Sequence, residues 1–154
     1  MRVVHGDRAL MARVLTACRI VLGALFIWAA LTKLPDMTAF AQDVANYRLL
    51  PAALVPFVAS AVVGIELLAG IALLVGVMER PAAAVIAGLL VAFTVFLSQA
   101  LLRGIDLRCG CFGGDEPASW WTVARDLAML AAAVAVARGP APQRQVSNDL
   151  RHPA

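Results

Sequence analysis

Four apolar stretches, each close to the length that a helix needs to cross a bilayer, constrain this chain more than any other feature. A spanning helix takes roughly 20 predominantly apolar residues. The stretches run from about 14 to 34, 56 to 77, 82 to 102 and 120 to 137. Few charges interrupt them. Arg19 lies near one end of the first, Glu66 in the middle of the second, and Arg125 and Asp126 near the start of the fourth, while the third has none. Pro35, Pro51, Pro56 and Pro81 fall at the edges, where a missing N–H costs little.

Composition agrees. Of 154 residues, 62% are hydrophobic and 15% charged, with mean hydropathy +0.83. Soluble domains average about 45–50% apolar and about 25% charged. A chain this short cannot hide the excess in its own core, so membrane lipid is its expected solvent. The sequence predicts an all-α integral membrane four-helix bundle. Residues 1–12 form a cytoplasmic amino-terminal segment and 13–138 the four-helix domain. Residues 139–154, with three prolines and few apolar side chains, form a disordered cytoplasmic tail. The first stretch is too long for the h-region of a signal peptide and no Ala-x-Ala-like site follows it, so it reads as a span.

Lysine and arginine set the orientation. Arg2, Arg8, Arg13, Arg80, Arg138, Arg144 and Arg151 share one side; Lys33, Arg48, Arg103 and Arg108 share the other. Seven against four places both termini in the cytoplasm and the loop between the third and fourth spans outside. A net charge of +3, with no basic cluster interleaved with aromatics, argues against a nucleic-acid partner. Between the first two spans, Met37, Phe40, Val44 and Tyr47 recur at helical spacing, and Asp36 is placed to cap them. This predicts a short amphipathic helix in the first outer loop, lying on the membrane surface or packed on the bundle.

Chemistry concentrates in Arg108-Cys109-Gly110-Cys111-Phe112-Gly113-Gly114 of the other outer loop. A disulfide between cysteines two residues apart closes a very small ring and demands backbone adaptation. Such strain raises the reduction potential and favours exchange, and the glycines ease the backbone requirement. The oxidising face of the membrane is also where a disulfide persists. Three readings follow: a redox-active dithiol, part of a soft-metal site for Cu(I) or zinc, and a glycine-rich structural turn. Two thiolates are an incomplete ligand set, and His5 and His152 are expected on the other side. Arg108 favours the thiolate, whereas Asp106 and Asp115 oppose it. Arg125 and Asp126, below the interfacial Trp120-Trp121, are candidates to serve the cysteines as a positive field and a proton acceptor. Their alternatives are snorkelling toward headgroups and mutual pairing.

Glu66 must face the bundle interior and be paired or protonated, because a carboxylate in lipid is costly. Arg19 is the expected partner, then Arg125. The two readings are a structural ion pair and a proton-relay or quinone-contacting carboxylate. Val62, Ala69, Gly70 and Leu73 share its face, and the small residues admit a close neighbour. Ser98 and Gln99 suit either a quinone carbonyl or a neighbouring helix. Cys18 reads as a small buried residue, roughly 20 Å from the outer loop at 1.5 Å per residue.

The segment Cys109-Gly110-Cys111-Phe112-Gly113, followed by Trp121 and Arg125-Asp126, resembles the MauE/DoxX-like family of redox-associated membrane proteins. Arg19, Gly23, Phe26 and Lys33 in the first span, and Glu66 and Gly70 in the second, are similar too. The resemblance covers most of residues 13–137. It implies four transmembrane helices and a thiol–disulfide role, which methylamine-utilisation members exercise in maturing the disulfide-rich small subunit of methylamine dehydrogenase. The expected partner is a thioredoxin-like or disulfide-containing protein on the outer face, with membrane quinone as the natural electron acceptor. The chain lacks the second cysteine pair that a self-sufficient quinone-linked oxidase commonly needs. The rival is a non-catalytic membrane subunit whose loop docks a partner or binds a soft metal.

Overall fold

The structure, a computed structural model, describes residues 3–104 and 119–139, with side chains from Leu10 onward. The described residues form five α-helices and no strand: α1 (Val3–Lys33), α2 (Met37–Asn46), α3 (Val55–Val75), α4 (Glu79–Leu102) and α5 (Trp120–Arg138). All but α2 are long and apolar enough to cross a membrane. Lipid offers no hydrogen-bond partner to a backbone, so each span must satisfy its own N–H and C=O groups, which a helix does. Only 22–33% of the four apolar windows is buried inside the protein. Side chains such as Phe57, Leu68 and Val75 point outward. The chain is therefore a multi-pass membrane bundle whose outer surface meets lipid.

The helices alternate in direction. α1 packs on α3 and α5, and α4 packs on the same two. α3 and α5 thus stand diagonally opposite each other across the bundle axis. Leu22, Phe26, Leu73, Ile86, Leu90 and Ala133 fill the centre, drawn from all four spans. The seam between α1 and α3 is tight because Gly23 and Gly70 lie against each other. A Cβ on Gly70 would come within 2.8 Å of Ile27 and 2.9 Å of the Gly23 carbonyl. Small residues allow this approach, and in lipid such packing is a main source of helix association.

Two helices start ahead of their apolar stretches. α1 begins at Val3, ahead of the apolar stretch from about residue 14; no proline interrupts the run, and the helix absorbs Gly6. α4 begins at Glu79, ahead of Pro81. A proline in the first turn loses no helical hydrogen bond, so the helix starts before it and not after. The turn between α3 and α4 is short. Gly76 closes α3 in the left-handed conformation, φ 77°, and the N–H groups of Gly76 and Val77 both donate to the Ala72 carbonyl.

The amphipathic helix forms as α2, and the Asp36 carboxylate accepts from the Ala39 N–H at 2.8 Å. Of the two placements open to it, α2 takes the packed one. Phe40 is buried against Ala30, Ala59 and Val63, which removes its ring from the membrane surface.

Candidate functional site

The buried polar side chains of the spans, Lys33, Glu66, Thr122 and Asp126, lie toward the end of the bundle where α1 finishes and α3 and α5 begin. Lys33, the last residue of α1, donates to both Glu66 oxygens at 2.8 Å. Both side chains are 2% exposed. The geometry follows from helix direction. Side chains lean toward the amino terminus of their own helix, and α1 and α3 are antiparallel, so Lys33 leans into the bundle while Glu66 leans out to meet it. Phe40 of α2 covers the pair, with the Lys33 ammonium 5.2 Å from its ring centroid. A desolvated cation–π contact of this kind contributes on the order of 2 kcal/mol.

This corrects the expected partner of Glu66. Arg19 lies nearer the other end of α1, level with the end of α3, because Gly23 already meets Gly70. Arg19 pairs instead with Glu79 at the start of α4, with its guanidinium against Gly76. Arg125 does not reach Glu66 either; it donates to Asp126 Oδ1 at 3.3 Å. The mutual pairing considered for Arg125 and Asp126 is thus present. Lys33 was missed as a partner because its position beside Pro35 resembles a topology signal.

Asp126 is buried, its side chain 3% exposed, while that of Arg125 is 38% exposed. Asp126 Oδ2 has no hydrogen-bond partner among the described residues. It lines a small central cavity together with Glu66, Phe26, Leu90, Phe93 and Met129. Phe93 also borders an apolar groove between α2, α3 and α4, whose other walls include Phe40, Tyr47 and Phe96. Trp120 and Trp121 are exposed at the start of α5, as an interfacial belt requires. Cys18 is a half-buried free thiol beside the central core, and Ser98 and Gln99 are half-buried on α4. Cys109 and Cys111 lie outside the described residues, as do Arg108 and the tail beyond 139. The end of α4 and the start of α5, which flank them in sequence, lie at the same end of the bundle as Lys33. Among the described residues no three His, Cys, Asp or Glu side chains converge as a metal site.

The family model for methylamine utilisation protein MauE matches residues 11–138. A Paracoccus denitrificans protein named methylamine utilization protein MauE is 38% identical over 137 residues, which cover 87% of this chain and 74% of the relative. The chain belongs to the MauE family. No solved structure matches it. For this MauE-family chain the match takes in every span, the Lys33–Glu66 pair, Asp126, Cys109 and Cys111.

Proposed function

We propose that this protein acts in methylamine utilisation as a membrane-embedded thiol–disulfide exchange protein. The observation that carries the reading is Cys109-Gly110-Cys111 within the matched region. The pair would face the outside and cycle between dithiol and disulfide with a thioredoxin-like or disulfide-containing protein there. In the oxidising direction the partner's thiolate attacks one sulfur of the Cys109–Cys111 bond, which breaks as the mixed disulfide forms. The partner's second thiolate then displaces the cysteine, so the partner leaves as a disulfide and both cysteines here are left as thiols. The forward sequence passes two electrons from the partner to this protein, and the reverse sequence returns two electrons to the partner. In the family's setting the recipient is the disulfide-rich subunit of methylamine dehydrogenase.

Acid-trapped membranes, alkylated with a mass tag, test the exchange. Added reductant shifts the wild-type tag count, and one of Cys109→Ser and Cys111→Ser accumulates a mixed disulfide with a partner. If neither cysteine changes state, the protein is a non-catalytic subunit whose loop docks or chelates, and the exchange reading fails.

A further inference from the structure

Two buried carboxylates face one cavity between the spans. Glu66 comes from α3 and Asp126 from α5, the diagonal pair, and Leu90, Phe93 and Met129 close the space between them. Both Glu66 oxygens are taken by Lys33. Asp126 is different. Its Oδ1 holds one long bond from Arg125, and its buried Oδ2 has no donor among the described residues.

A buried carboxylate oxygen with no donor is costly, and more so in lipid. The cavity has space for about one water. A water there can donate to Asp126 Oδ2, and when Asp126 carries a proton the same water can accept it and donate to Glu66. The charged groups around the space are Lys33 on α1, Glu66 on α3, and Arg125 and Asp126 on α5. α4 contributes the apolar walls Leu90 and Phe93, and α2 contributes Phe40 over Lys33. Lys33 is fully engaged by Glu66, and the Arg125 side chain is partly exposed. Asp126 is therefore the acid whose charge is least covered.

We propose that Glu66 and Asp126 form an intramembrane proton-binding site, in which Asp126 takes up and releases a proton through a water held between the two acids. The site stands independently of the cysteine exchange, since its evidence lies wholly in the spans.

Infrared difference spectroscopy on the full chain in phosphatidylcholine vesicles tests it. Between about pH 8 and 6, exposed carboxylates, which titrate near 4, stay ionised and silent. The expected result is a neutral-acid carbonyl band that grows as pH falls and shifts in heavy water. It shifts again when aspartate with a heavy carboxyl carbon is incorporated. Asp126→Asn removes the band, and Glu66→Gln moves its frequency or its midpoint. The isotope arm uses the wild-type chain, so the assignment does not depend on a variant folding. The proposal is overturned by no band, by a band insensitive to pH or to heavy water, or by one that only labelled glutamate moves.

Discussion

At the scale of single residues, the Lys33–Glu66 pair makes the sharpest claim. Removing one member strands an uncompensated charge at 2% exposure, which typically costs ~3–5 kcal/mol. Replacing both with apolar groups leaves nothing stranded. Lys33→Met alone is therefore expected to lower the thermal midpoint of the detergent-solubilised protein strongly, and Lys33→Met with Glu66→Leu to recover most of the loss. Strictly additive penalties in that double-mutant cycle would show that the two side chains do not depend on each other. The pairing of Glu66 was legible in the sequence; its partner was not. A mid-span glutamate announces a need for compensation through its position alone. Which cation answers depends on the offset between antiparallel helices, which is set by the Gly23–Gly70 approach and leaves no trace in hydropathy. Asp126 shows the same limit. Its place near the start of the fourth span suggested a surface pair, and only the packing of α5 against α1 and α4 turns it to the bundle axis.

At the scale of helices, the α1–α3 seam predicts opposite outcomes for similar substitutions. A Cβ at Gly70 would meet Ile27 and the Gly23 backbone below 3.0 Å, whereas one at Gly88 meets nothing within 4 Å. Backbone atoms cannot swing aside, so Gly70→Ala must push α1 away from α3. An overpacked contact of this kind costs ~1–3 kcal/mol. Gly88→Ala is expected to be neutral or to stabilise by up to about 1 kcal/mol, the usual helix preference for alanine over glycine. Thermal unfolding of the two variants side by side checks the ordering, and a Gly70→Ala protein as stable as the wild type would sink the tight seam. Gly70→Ala should also loosen the Lys33–Glu66 pair, since the same two helices hold it. Helix existence and the Asp36 cap were legible because periodicity and capping are local. Helix starts were less so, since hydropathy marks the apolar stretch and not the polar turn, such as Glu79-Arg80, that precedes it.

At the scale of the whole molecule, the open question is which end of the bundle faces out, and the charges argue for one answer. The Arg80 guanidinium donates to the Gly139 carbonyl at 2.7 Å, so the α3–α4 turn and the end of α5 meet. α1 runs antiparallel to α3, which places Arg13 at that same end. Arg13, Arg80 and Arg138 thus share one end of the bundle, and the positive-inside bias makes the cytoplasm the expected side of that end. On that expectation Ser119, which precedes α5, faces out. A membrane-impermeant maleimide tests this on a chain whose native cysteines are replaced by serine. Ser119→Cys should label in intact cells, and Arg138→Cys only after the membrane is opened. The reverse pattern would place the cysteine loop in the reducing cytoplasm, where glutathione keeps thiols reduced, and the exchange function would lose its compartment. The proton site would survive such an inversion, because Glu66 and Asp126 lie within the spans whichever end faces out.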